Sequence, residues 1–363
     1  MTKYLSDKIK ILSATAILLV LYIHSGFHAD EIAGMTLNGQ IQAVISEMLG
    51  RCAVPLFYVI SGYLFFLNIS LNNGLQSIIA KMKKRVRTLL VPYLIAAVFF
   101  PIFFLVLNYV PGVEQFMNGN LSSLFAKPWY KILYEVFFMA DNGLPVTIQL
   151  WFLRDLILIV AVSPLLYYLY KYLYWWWLPV IFAVNYLTKS DFFIYGLLWF
   201  GTGGVFSALK KNSIHHRHGI FKYVSINTKF VKTILIITFL ILCILQLFSA
   251  ELPIWKYFRI PIIMLGIVTI WLMYDMVFNC RGEKNFAPAM KLFCGFTFFI
   301  YLFHEPTLNV VRKLLVFVIG KTSAGYLVSY LISPWIFMMA AIIVGMMLKK
   351  YLPRFYGVLV GGR

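Results

Sequence analysis

A chain of 363 residues that is 61% hydrophobic and only 12% charged is not a water-soluble domain, where about 25% of residues are charged; it is a polytopic membrane protein. Its formal net charge of +19 does not point to nucleic acid, because the basic residues cluster in short loops between apolar runs, a pattern that orients helices and favours anionic headgroups. The four cysteines, Cys52, Cys243, Cys280 and Cys294, have no metal-ligand spacing, mostly lie in apolar runs and read as packing thiols rather than a disulfide framework.

Hydropathy predicts an all-α membrane bundle of about ten transmembrane helices, over 11–28, 45–68, 89–109, 148–169, 173–188, 192–209, 233–249, 259–279, 292–312 and 325–348. An even number of spans puts both termini on one side. Most of the 32 Lys and Arg then fall on that side, which makes it cytoplasmic. No repeat and no fused soluble domain is visible, so the expectation is one integral membrane domain over residues 1–363.

The first span reads ILSATAILLVLYIHSGFH, too long for a signal-peptide core and without a cleavage site, hence an uncleaved helix. His24 lies roughly 20 Å into it. An ionisable group at that depth needs a polar partner or a cavity: either a backbone carbonyl satisfies it, or it is a catalytic base facing the bundle interior. The second span, RCAVPLFYVISGYLFF, puts Arg51, Pro55, Tyr58 and Gly62 near one face, and Ser61-Gly62 allows close helix approach. Arg51 is either a snorkelling interfacial cation or part of a site.

KMKKRVRTLLVPYL leads into the third span with Lys81, Lys83, Lys84, Arg85 and Arg87. It is either a plain anchor or a phosphate clamp at the cytoplasmic mouth, where the planar Arg fork suits bidentate binding. In the outer segment 108–147, residues 121–140 are apolar enough for an interfacial or re-entrant helix. The fourth span opens QLWFLRDLILIVAVSPLL. Neighbours on an ideal helix point about 100° apart, so Arg154 and Asp155 are expected to meet other helices rather than each other, in an ion pair or at a substrate. Trp175, Trp176 and Trp177 are belt aromatics. The glycines of GTGGVF suggest close helix packing. His215, His216 and His218 lack Cys or carboxylate company and read as a solvated basic loop, so no metal site is expected.

The ninth span, FCGFTFFIYLFHEPTLNVVRK, brings Tyr301, His304 and Glu305 toward one face, and Pro306 opens the helix and frees a carbonyl there. Spans one and nine run in the same direction, which places His24 and Glu305 at similar depth. Arg51 and Arg154 lie within a turn or so of that level. Polar residues from four helices converging at one depth mark a functional site.

Taken in order, LLVLYIHS, VPLFYVISGYLFF, KKRVRTLLVPYL, LWFLRDLILIVAVSPLL and FIYLFHEP resemble the acyltransferase 3 family of integral membrane O-acyltransferases. The resemblance implies ten core spans and transfer of an acyl group, usually acetyl from acetyl-CoA, to hydroxyls of glycans, other envelope components or small molecules. It implies that His24 is the essential residue of the first span and that Arg85 and Arg87 handle the acyl donor. The chain departs from the family's pattern at two places. Ser13 stands where a basic residue is common, with Lys10 one turn earlier, and Thr88 stands where a second Arg would complete R-x-x-R, a spacing that Lys84 and Arg87 supply.

The expected mechanism has His24 as base or transient acyl carrier, Glu305 orienting it, and Lys84, Arg85 and Arg87 holding the donor phosphates. Arg51, Arg154, Asp155, Ser61, Tyr301 and His304 are the candidates for substrate or oxyanion contact. No permanently bound cofactor is expected; acetyl-CoA is a co-substrate. The partners implied are an acyl-CoA donor, a hydroxyl-bearing acceptor and membrane lipids, not nucleic acid; a homo-oligomer is left open. The expected location is the bacterial cytoplasmic membrane. The alternative is a proton-coupled secondary transporter or lipid flippase, which a His–Glu–Arg cluster would equally serve. The acceptor and the acyl length are not legible in the sequence.

Overall fold

The computed structural model describes residues 2–70, 74–107, 122–188, 192–212, 229–249, 252, 254–277 and 288–362. His215, His216, His218 and Cys280 lie outside the described residues. Among those described, the regular structure is helical throughout. In chain order the helices are α1 (Lys3–Ser25), α2 (Thr36–Gln42), α3 (Ala53–Phe66), α4 (Leu75–Arg85), α5 (Val91–Leu107), α6 (Ser122–Phe125), α7 (Trp129–Phe137), α8 (Trp151–Ala161), α9 (Ser163–Leu173), α10 (Trp177–Thr188), α11 (Phe193–Asn212), α12 (Lys229–Phe248), α13 (Ile254–Val277), α14 (Pro288–Ile319), α15 (Ser323–Tyr351) and α16 (Pro353–Leu359). Wider π turns at Ala43–Leu49 and Val86–Leu90 join α2 toward α3 and α4 to α5.

Among the described residues six helices are long and apolar enough to cross a bilayer, and seven if α8 and α9, bent by 59° at their break, form one broken span. The expected count of ten is not reached on length and apolarity alone, for two physical reasons. The fifth and sixth expected spans fall on shorter apolar helices, Trp177–Thr188 and the Phe193–Ser207 part of α11. The ninth expected span belongs to α14, which has 32 residues but carries Lys291, Glu305, Arg312 and Lys313 along its length. In the expected interfacial stretch, α6 and α7 are short helices, and Trp129, Tyr130, Leu133 and Tyr134 are exposed on α7.

The chain divides into two compact units. The first holds Met1–Val20, Gln40–Met82 and Leu158–Cys294. Its core is the close approach of α3 and α11. A methyl group on Gly62 would fall on the Phe200 carbonyl, and one on Gly203 would fall on the Val59 carbonyl, so glycine is required where these backbones touch. The Tyr170 hydroxyl donates to the Gly201 carbonyl at 2.8 Å, and its ring meets Phe66 and Trp177 edge-on. Lys8, only 2% exposed, donates to Asp275 at 2.6 Å and lies 4.0 Å from the Trp271 ring centroid; Tyr4 donates to the same carboxylate. Lys81 donates to the carbonyls of Phe65 and Leu67 at 2.7 and 2.6 Å. It thereby covers the unpaired C-terminal carbonyls of α3.

The second unit holds Leu21–Gly39, Lys83–Ile157 and Gly295–Arg363. An aromatic seam joins its helices: Phe303 of α14 meets Phe100 of α5 edge-on at 5.3 Å and stacks on Phe299 at 4.5 Å, and Phe299 meets Tyr356 of α16 at 5.8 Å. Gly345 of α15 faces Phe296 and Phe299, with no room for a side chain. The last turn of α1 is held to α15 by Tyr22, whose hydroxyl donates to the Leu331 carbonyl at 3.2 Å and accepts from Trp335 Nε1 at 2.9 Å. Ahead of α7, Lys127 bonds both oxygens of buried Glu135 at 2.8 and 2.7 Å, and that hydrogen bond holds the ammonium above its ordinary pKa.

Candidate active site

The site is built in the second unit around a break in α14. Pro306 has no N–H to give the carbonyl four residues back, and its ring excludes the helical conformation at the residue before it. Glu305 accordingly sits at φ −106°, ψ 133° inside an otherwise helical run, and the Leu302 carbonyl loses its intrahelical partner. Gln149, buried in the turn before α8, repairs the break. Its side-chain amide donates to the Glu305 carbonyl at 2.6 Å and to the Leu302 carbonyl at 3.3 Å. Tyr301 returns the contact, its hydroxyl donating to the Gln149 carbonyl at 2.7 Å.

The break turns Glu305 toward α1. Its Oε1 lies 3.2 Å from His24 Nδ1, and both side chains are partly accessible, at 26% for His24 and 19% for Glu305. A carboxylate at this nitrogen keeps the proton on Nδ1 and leaves Nε2 as the free lone pair. His304 packs against His24 edge to face, with ring centroids 4.8 Å apart. Its own Nδ1 lies 2.7 Å from the Tyr301 carbonyl. A carbonyl only accepts, so His304 carries its proton there and its Nε2 is a lone pair too. That Nε2 is buried with no hydrogen-bond partner among the described residues. Neutral in this tautomer, His304 can accept a hydrogen bond from a ligand but cannot donate one to an oxyanion.

Arg154 and Asp155 differ from the sequence expectation. They bond each other, Nε to Oδ1 at 2.8 Å. The 100° offset of neighbouring positions applies to Cβ directions, and the long Arg side chain folds back across it. Arg154 Nη1 also donates to the carbonyls of Phe138 and Gly143 at 2.8 and 3.4 Å, in the loop after α7. Tyr93 fixes the end of α7 just before that loop by donating to the Phe137 carbonyl at 2.7 Å. The pair is a strut for the loop that overlies α8.

Arg51 and Ser61 belong to the first unit. Arg51 is exposed and pairs with Glu47 one turn back on its own helical segment; Ser61 is half-buried beside Gly62. Lys84, Arg85 and Arg87 stand at the join of α4 and the π turn, with Lys84 and Arg87 exposed and Arg85 half-buried. Among the described residues no group of three or more His, Cys, Asp or Glu is placed to hold a metal ion. Three residues that the sequence analysis did not single out belong to the site. Asn309 and Arg312 follow Glu305 at the one- and two-turn spacing that already grouped Tyr301 with His304 and Glu305. Gln149 left a weaker signal, a lone amide at the head of an apolar span.

A family model described as an acyltransferase domain matches residues 7–350 of this chain. A succinoglycan biosynthesis protein of Rhizobium meliloti, ExoH, is 24% identical over 335 residues, covering 89% of this chain and 82% of that protein. No solved structure matches.

Proposed function

From the chain's membership of the acyltransferase 3 family, and so from its being a multi-pass membrane acyltransferase, we propose that it moves an acetyl group from acetyl-CoA to a hydroxyl of a glycan, another envelope component or a small molecule, in the bacterial cytoplasmic membrane with both termini in the cytoplasm. The relative named for succinoglycan biosynthesis favours a glycan among these acceptors.

The observation that carries the reaction is the His24–Glu305 pair at 3.2 Å. With Nδ1 held by the carboxylate, Nε2 of His24 takes the acceptor's hydroxyl proton as the oxygen attacks the thioester carbon. The new C–O bond forms, the C–S bond breaks, and the proton on Nε2 passes to the departing thiolate. Glu305 stabilises the imidazolium between those two transfers. Lys84, Arg85 and Arg87 supply charge for the donor's phosphates at the cytoplasmic mouth.

Purified protein in lipid nanodiscs, given radiolabelled acetyl-CoA and a panel of glycan and lipid-linked glycan acceptors, should release free CoA and leave label in a base-labile ester. Intact acetyl-CoA with every acceptor, including an extract of the native membranes, would overturn the donor assignment.

A further inference from the structure

Arg312 has no part in the reaction written above, yet it is only 4% exposed. It stands on the limb of α14 beyond the break, about two turns past Glu305. Its Nη1 donates to the Gly26 carbonyl, its Nη2 donates to Asn309 Oδ1 at 2.9 Å, and its guanidinium carbon lies 4.6 Å from the Phe27 ring centroid. Gly26 and Phe27 are the two residues that follow α1, which ends at Ser25. A helix C-terminus presents unpaired carbonyls and a partial negative charge, and a cation there meets both needs. Arg312 thus closes the end of the helix whose last turn carries His24, and it does so from the helix that carries Glu305.

Burying a guanidinium is costly, and no carboxylate within ion-pair distance of Arg312 is found among the described residues. Glu31 and Glu305 are the acidic groups whose fields reach it, with Lys313 the neighbouring cation. Its Nε is buried without a hydrogen-bond partner. The contacts require a residue that reaches two oxygens while holding its cationic centre over a ring, which the forked guanidinium of Arg does and Lys does not.

We infer that Arg312 is the positioning residue for His24: by fixing Gly26 and Phe27 it sets the end of α1 so that the imidazole meets Glu305 in register. The inference rests on reading His24 as the base. Misplacement of a reacting group by about 1 Å costs on the order of 10²-fold in rate, so the effect belongs in kcat rather than in KM.

The test uses the full chain in nanodiscs and three variants. Arg312→Gln removes the charge and two anchors, Arg312→Lys keeps the charge, and Asn309→Ala keeps the arginine but frees one arm of it. Two readouts are taken: kcat and KM for acetyl transfer, and the rate at which diethyl pyrocarbonate modifies His24, followed by mass spectrometry. The second needs no turnover, and Glu305 and His304 are the titratable groups against His24 in every variant. Arg312→Gln should lower kcat by about 10²-fold with KM little changed, and all three variants should change the His24 modification rate, Asn309→Ala least. Should Arg312→Gln not fold, the other two decide. An unchanged modification rate in folded Arg312→Lys and Asn309→Ala overturns the positioning role. If the modification rate shifts but wild-type protein transfers no acetyl group, the acetyl-transfer reading falls and the positioning role stands.

Discussion

The side-chain amide of Gln149 donates to the main-chain carbonyl of Glu305 at 2.6 Å, so the residue that faces His24 is held by its backbone as well as by its carboxylate. Pro306 breaks α14 at this point, and Gln149 supplies the hydrogen bonds that the break removes. Gln149→Ala takes from the Leu302 carbonyl the donor that replaces the missing Pro306 N–H, a loss of about 1–3 kcal/mol for an unsatisfied buried group, and removes the amide from the Glu305 carbonyl as well. Gln149→Glu should be no better, because a carboxylate cannot donate. Both variants should lower the thermal midpoint in detergent and reduce acyl transfer together. A normal midpoint with normal transfer in Gln149→Ala would show that the break needs no repair.

The Arg154–Asp155 pair gives the opposite kind of expectation. Arg154 bonds Asp155 and two loop carbonyls, which makes it a support for the loop after α7 rather than a donor waiting for an oxyanion. Removing one member of a buried ion pair costs about 3–5 kcal/mol, so Arg154→Gln should lose stability and activity in parallel. The double variant with Asp155→Asn should lose less than the sum of the single changes, because the second substitution removes the stranded charge. A kcat defect in Arg154→Gln at an unchanged thermal midpoint would instead favour oxyanion contact.

At the proposed cytoplasmic mouth, Arg85 and Arg87 flank the start of the π turn at Val86–Leu90. If they hold the donor's phosphates, each Arg→Ala change removes charge-assisted bonds of about 1.5–3 kcal/mol. The double variant should then raise KM for acetyl-CoA more than tenfold, while KM for the acceptor stays put. Lysine replacements should restore part of the loss, since they keep the charge but not the fork. Titration of donor binding against salt provides the check: an unchanged donor KM in the double Ala variant would leave the basic cluster as a membrane anchor.

The limits of what the sequence showed follow from how each feature is encoded. Membrane burial is written into composition and was legible; helical spacing put Tyr301 beside His304, whose rings lie 5.9 Å apart, but Glu305 reaches His24 because it leaves the helical conformation. Pro306 announced a freed carbonyl, but not that an amide on a separate segment would take it, because Gln149 meets Leu302 across about 150 residues of chain. The Arg154–Asp155 pair was misread for a geometric reason, since Cβ directions were treated as if they fixed where a long side chain ends. Arg312 was overlooked although its spacing from Glu305 was regular: a basic residue near the end of an apolar run reads as an anchor until its partners are seen.

The proposed orientation also has a direct measurement. With both termini cytoplasmic, a cysteine placed at Gly362 in a chain whose four native cysteines are replaced should resist a membrane-impermeant maleimide in intact cells and react after permeabilisation. Labelling from outside would invert the bundle and put Lys84, Arg85 and Arg87 on the wrong side for a cytoplasmic donor.

His24 itself provides the decisive variant. Its Nδ1 faces Glu305, and its ring touches that of His304, so a substitution must preserve packing to isolate chemistry. His24→Gln is close in size and can still hydrogen-bond, but no amide can take a hydroxyl proton and return it to a thiolate. Loss of the base should therefore cost about 10²–10⁴-fold in kcat with the thermal midpoint near that of the wild type. Glu305→Gln keeps the shape and loses only the charge that stabilises the imidazolium, so it should lower kcat by less than His24→Gln, and the double variant should be no worse than His24→Gln alone, because an orienting carboxylate has nothing left to orient. His28, exposed beyond the end of α1, is the internal control, and His28→Gln should leave transfer near normal. Near-normal transfer by His24→Gln at matched protein levels would remove His24 from the chemistry, and with it the role assigned to Glu305.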